Sequence, residues 1–214
     1  SVPDAPTALS ASALDASTIA LSWTENSANE SGYRVERSLS SGSGFSQLAV
    51  LPANTSSYTD NGLSDGTQYF YRVQAFNDNG YSSDSNEASA TTGVSPPVAP
   101  SFLAAGTVTF TSIPLTWVDV ATNETNYVVQ RSSSAGSGYS DLQTLPANST
   151  SFTDNSLPEN TTYYYRVYAR NSGGNSGYSN VVGASTLLSV PDAPSGLSTG
   201  TVTTSSIAIS WSDL

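Results

Sequence analysis

The feature that most constrains this chain is a repeat. A shift of 94 positions along the 214-residue sequence, with no gap, pairs Trp23 with Trp117 and Trp211, Ile19 with Ile113 and Ile207, and Tyr33 with Tyr127. The same shift brings "LPAN" at 51–54 onto 145–148 and "YRV" at 71–73 onto 165–167, and leaves 43 of 94 positions identical between the first two copies. A period kept this closely means one folding unit used again. The expected organisation is a domain at 1–94, a second at 95–188, and a partial third repeat at 189–214 that returns to the opening "SVPDAP".

Within each copy the apolar residues alternate, as in Ile19-x-Leu21-x-Trp23, Tyr33-x-Val35 and Tyr69-x-Tyr71-x-Val73-x-Ala75. A period of two means strands with one buried face. Clusters such as "ENSANESG" at 25–32, "SLSSGSG" at 38–44 and "DNGLSDG" at 60–66 separate them, and such Gly-, Asn- and Ser-rich stretches form turns. Short strands at this spacing, with no helical stretch between them, predict an all-β fold of tandem antiparallel sandwiches.

The residues resemble the fibronectin type III domain along the whole chain. Each copy opens on a Pro-rich segment with an apolar anchor (Pro3, Pro6 and Leu9; Pro97, Pro100 and Leu103), followed by a strand ending in Trp and then Tyr-x-Val. Each also carries Leu-x3-Thr-x-Tyr-x-Tyr-Arg-Val-x-Ala, at 63–75 and 157–169. A Tyr six residues after a Leu, at the entry of the longest strand, can bury its ring while its hydroxyl bonds to backbone at the preceding corner. Tyr69 and Tyr163 are the expected corner tyrosines, and Trp23, Trp117 and Trp211 the expected structural tryptophans. The family often has Pro before the Thr, where this chain has Asp65-Gly66 and Glu159-Asn160.

Composition narrows the chemistry. Six Arg and no Lys stand against 17 acidic residues, a net charge of −11, which repels phosphate backbones and anionic headgroups and argues against nucleic acid and membrane partners. With no Cys and no His, thiolate and imidazole chemistry is absent, and no cofactor or enzymatic activity is expected. No apolar run approaches the ~18 residues of a membrane span. A chain without Cys, Met or Lys carries no thiol or thioether to oxidise, which suits an extracellular or cell-surface setting; any signal segment is expected outside the sequence.

Three sets of residues are candidates for a site. The resemblance implies that loops 24–32 and 77–86 meet at one end, bringing Glu25, Glu30, Asp78 and Asp84 near each other as oxygen ligands for Ca2+; solvated surface acids are the simpler reading. Alternation turns Tyr164 and Tyr168 outward, where rings could stack on surface glycans, with cross-strand packing as the simpler reading. Five Asn-x-Ser/Thr sequons begin at Asn29, Asn54, Asn123, Asn148 and Asn160; the chemistry of each depends on the host.

The leading functional expectation is a semi-rigid tandem segment of an extracellular filament, stalk or adhesin, because Pro-rich junctions favour extended backbone. The alternative is a spacer or weak carbohydrate-binding accessory of a secreted polysaccharide-degrading enzyme. Residues 189–214 carry strands whose apolar faces, at ~1.5–3 kcal/mol per buried side chain, need cover. They are expected to pair with a neighbouring copy of the repeat or subunit.

Overall fold

The computed structural model describes residues 1–213 and divides into two compact units, Ser1–Val98 with Thr122–Thr125 and Arg170–Ser176, and Ala99–Ala121 with Asn126–Ala169 and the C-terminal segment from Gly177. The elements are antiparallel strands throughout, as the period-two pattern requires.

In the first unit β1 (Thr7–Ala13), β2 (Thr18–Thr24) and β5 (Ser57–Asn61) form a three-stranded sheet in the order β1-β2-β5. β3 (Gly32–Ser38), β4 (Ser46–Pro52), β6 (Gln68–Asn77) and β7 (Gly80–Tyr81) form the other, in the order β4-β3-β6-β7, with β8 (Ala88–Thr91) also on β6. The alternating residues face inward between the sheets: Ile19, Leu21 and Trp23 from β2 meet Tyr33 and Val35 from β3 and Tyr69, Tyr71, Val73 and Ala75 from β6. Fully burying such a side chain stabilises the fold by ~1.5–3 kcal/mol, and this row of contacts is what makes the period legible. Gly32 starts β3 because nothing larger fits: a Cβ there would lie 2.4 Å from the Leu51 carbonyl oxygen and 2.8 Å from the Phe76 ring.

The second copy builds the same two sheets. β9 (Ser101–Ala105), β10 (Ile113–Val118) and β13 (Ser151–Asp154) are ordered β13-β10-β9, and β11 (Asn126–Ser132), β12 (Ser140–Pro146), β14 (Thr162–Asn171) and β15 (Gly174–Tyr178) are ordered β12-β11-β14-β15, with β16 (Val182–Ser185) on β14. Its core repeats the first, with Ile113, Leu115, Trp117, Tyr127, Val129, Tyr165, Val167 and Ala169 buried.

The tail behaves differently. β17 (Ser195–Val202) and β18 (Ile207–Ser212) pair with each other and, among the described residues, with no other strand. Leu197, Ile207, Ile209 and Trp211 are 55–73% exposed. Trp211, named with Trp23 and Trp117 as a structural residue, is exposed here, and among the described residues no strand beyond β17 pairs with its strand.

Candidate functional site

The sites common to both copies hold their two sheets together. Asp60 on β5 is 2% exposed and accepts from the Tyr71 hydroxyl at 2.9 Å and from Arg37 at 2.9 and 3.2 Å. Tyr71 and Arg37 belong to the opposite sheet, so this buried carboxylate links one layer to the other. Asp154 repeats the arrangement, with Tyr165 at 2.8 Å and Arg131 at 2.9 Å. Burial, and then the hydrogen bond to the neighbouring Asp, push both tyrosine hydroxyls far above the ordinary phenol range. These groups are closed and mutually satisfied. They offer no proton to a substrate.

A second inter-sheet link is an amide. The Asn86 side chain accepts the Leu9 N–H at 2.9 Å and donates to the Leu9 carbonyl at 2.9 Å, and Asn180 does the same for Leu103 at 2.9 and 2.8 Å. A third set fixes the opening of each copy: the Ser1 carbonyl accepts from Asn29 and Asn77, and the Ser95 carbonyl from Asn123 and Asn171. Thus the sequons at Asn29 and Asn123 have their side-chain nitrogens engaged. Ser95 also donates its N–H to Asp65 at 2.9 Å within the first unit, and Ser189 donates to Glu159 at 3.0 Å within the second. Ser189 holds the Glu159 carboxyl below its ordinary value, chiefly through the hydroxyl hydrogen bond and then through the backbone N–H.

The tryptophans and the corner tyrosines divide. Trp23 and Trp117 are buried, with ring centroids 5.8 and 5.9 Å from Tyr33 and Tyr127. The Tyr69 hydroxyl accepts the Ser64 N–H at 3.0 Å. At the same place in the second copy stands Pro158, which has no N–H to give. Tyr163 is half-buried beneath the Arg131 guanidinium, 4.8 Å from its ring centroid. The corner hydrogen bond expected at both positions is therefore available at Tyr69 alone.

The expected glycan-facing pair does not form an open platform. Tyr168 is 5% exposed, lies edge-on to Tyr178 at 5.7 Å and reaches Asp141 at 3.3 Å. Tyr164 is half-buried with its ring over Gly183, where an added Cβ would come within 2.9 Å. The ring that does present itself is Tyr178, half exposed and 3.5 Å from the Arg166 guanidinium. The repeat does not single it out, because the same position in the first copy is Asp84.

The four acids also separate. Asp84 is ion-paired with Arg72 at 2.9 Å, and Asp78 is exposed in the turn from β6 to β7. Among the described residues, no group of three or more His, Cys, Asp or Glu side chains gathers as a metal site. Glu25 and Glu30 do come together over Tyr33. A depression of about 450 Å3 lined by Arg37, Ser38, Leu39, Gly44 and Tyr69 lies elsewhere, and its Arg is already committed to Asp60.

With two such sandwiches in place, the profile described as Fibronectin type III domain matches residues 4–91 and 98–184. The chain belongs to the fibronectin type III family. Two curated relatives align with nearly all of it. Exoglucanase B of Cellulomonas fimi is 31% identical across 98% of the chain, and Fibronectin type III domain-containing protein 2 of Margaritifera margaritifera is 29% identical across 90%. The chain spans only 19% and 31% of their lengths. A solved segment of two fibronectin type III domains from chicken tenascin is 18% identical over 85% of this chain and 99% of that one, with a TM-score of 0.49. No helix among the described residues is long and apolar enough to cross a membrane.

Proposed function

We propose that this chain is a non-catalytic spacer of a secreted, multidomain protein, setting the distance between the segments on either side of it. The observation that carries this reading is the alignment of 98% of the chain with a 19% portion of Exoglucanase B, which favours the accessory setting over a free-standing filament. The mutually satisfied inter-sheet links and the anchoring of Ser95 by Asp65 support a stiff module rather than a reactive one. Two tests bear on it. Incubation with insoluble glucan should leave the full chain in the supernatant, and retention would turn the reading towards carbohydrate binding. Probes fused to the ends of one and two repeats should move apart by a constant step, and a broad, overlapping distance distribution would defeat the spacer.

A second reading, assembly with further copies, is favoured by the open face of β17 and β18, whose Leu197, Ile207, Ile209 and Trp211 are exposed where the register counterparts in the complete copies are buried. In this reading the face takes strands from another copy of the repeat. Sedimentation of the full chain should then show self-association that Ile209→Asn with Trp211→Ser removes, and a monomer at all concentrations would eliminate it.

A further inference from the structure

One glycine of the second repeat has no reason within its own turn. Gly173, in the turn after β14, donates its N–H to Asn171 Oδ1 at 2.8 Å, and in the first repeat the Asn79 N–H closes the same turn on Asn77 Oδ1 at 2.9 Å. The turn therefore forms with Asn or with Gly at this place. The next residue differs in kind: Gly80 and Gly174 have φ of +125° and +133°, which only glycine adopts readily, whereas Gly173 is not among the positive-φ glycines. Its neighbours explain it instead. A Cβ at 173 would lie 1.9 Å from the Val94 carbonyl oxygen, 2.6 Å from that carbonyl carbon and 3.0 Å from the Ser95 carbonyl carbon. These are backbone atoms, which no rotamer change moves aside.

The segment that Gly173 abuts is held by residues of both repeats, all of which fall in the first compact unit. From the first repeat, the Gly66 N–H donates to the Gly93 carbonyl at 2.9 Å, and Asp65 Oδ2 accepts the Ser95 N–H at 2.9 Å. From the second, Asn123 and Asn171 donate to the Ser95 carbonyl at 3.1 and 2.9 Å. Ser95 thus has its N–H held by one repeat and its carbonyl by the other. The first half of this grip recurs 94 positions on: the Asn160 N–H donates to the Leu187 carbonyl at 3.2 Å, and Glu159 accepts the Ser189 N–H and hydroxyl at 3.0 and 2.7 Å. Asp and Glu differ in length, yet each reaches the same backbone N–H.

We propose that Asp65 and Gly173 lock the passage from the first repeat to the second, Asp65 by holding the Ser95 N–H and Gly173 by letting its turn close onto Val94. The use of the lock rests on the spacer reading, whereas its geometry does not. The edge formed by Asp65, Gly66 and residues 93–95 is then a docking surface for the turn of the repeat that follows, and it selects that repeat by size. Glycine at the place of Gly173 fits, because the backbones can touch there. The first repeat carries Asn79 at this place, so a repeat with its turn would drive a Cβ into the preceding carbonyl and could not close the same joint.

Residue-resolved hydrogen exchange on the full chain tests this. Gly173→Asn, which gives the second repeat the turn residue of the first, should speed exchange of the Ser95 amide roughly 3–10-fold, the loss of about one hydrogen bond. Asp65→Ala should release the same amide to a similar extent. Gly136→Ala is the control, because a Cβ there meets nothing within 4 Å, and it should leave Ser95 as in wild type. The Val167 amide, held by Ser179 at 3.0 Å within the second repeat, should keep its protection in all three. Unchanged Ser95 exchange in Gly173→Asn or in Asp65→Ala would overturn the proposal. Faster exchange that spreads to Val167 would overturn it too, by assigning Gly173 to the fold of its own repeat. The spacer reading is judged separately by spin labels at Val50→Cys and Thr144→Cys, two exposed register counterparts in a chain without native Cys. A broad distance distribution in the otherwise unaltered chain would defeat the spacer, while exchange at Ser95 would still decide the lock.

Discussion

Arg72 and Arg166 stand at the same position in two copies of one sequence, and different forces hold them. Arg72 pairs with Glu36 at 2.5 Å and Asp84 at 2.9 Å, with the Phe45 ring 4.4 Å away. In the second copy those three partners are Gln130, Tyr178 and Tyr139. Arg166 donates to Gln130 at 2.7 Å and lies 3.5 and 4.3 Å from the Tyr178 and Tyr139 ring centroids. The outer face of the larger sheet is thus open to replacement provided the guanidinium finds either charge or π-density. The inner face is not: Trp23, Tyr33, Asp60 and Tyr71 recur as Trp117, Tyr127, Asp154 and Tyr165, because each fills a volume or closes an inter-sheet bond that the neighbouring residues require.

The comparison can be broken most forcefully at the core. Trp23→Ala and Trp117→Ala should each cost about 3–5 kcal/mol in chemical denaturation, and a large difference between them would end the equivalence of the two cores. Next comes Gly32, which the second copy replaces with Asn126. Gly32→Ala should lose about 1–3 kcal/mol by forcing a Cβ against the Leu51 carbonyl, and equal stability of wild type and variant would show that β3 and β4 can shift apart freely.

Smaller effects sharpen the contrast at the corners and on the outer face. Tyr69→Phe should cost about 0.5–1.5 kcal/mol, whereas Tyr163→Phe should lie within about 0.5 kcal/mol of wild type, since Pro158 supplies no donor. Matching losses at the two sites, read by residue-resolved hydrogen exchange, would contradict that assignment. Asp84→Asn should cost only ~0.2–1 kcal/mol at low salt, because the pair is partly exposed, and the loss should fade at ~1 M salt. Tyr178→Ala should cost a similar ~0.5–1 kcal/mol that salt leaves in place. Identical salt responses would mean that the two arginines are held alike after all.

The strand pattern and the repeat were determined by the sequence alone, because burial of one strand face writes a period of two and a copied domain writes it again at 94. Pairing across space was decided only by the tertiary structure. Asp60 reads as an ordinary loop-edge acid until β5 folds over β3 and β6 and places it against Arg37 and Tyr71. Tyr168 belongs by alternation to the outer face, yet it is buried because Tyr178 packs edge-on against it. Asp84 leaves the acidic set by pairing with Arg72, while Asp78 stays exposed in its turn. Trp211 carries the same local pattern as Trp23 and Trp117 and is exposed all the same. Periodicity records which face a side chain points from, whereas burial depends on what lies opposite, and that is a property of contacts between residues distant in the chain.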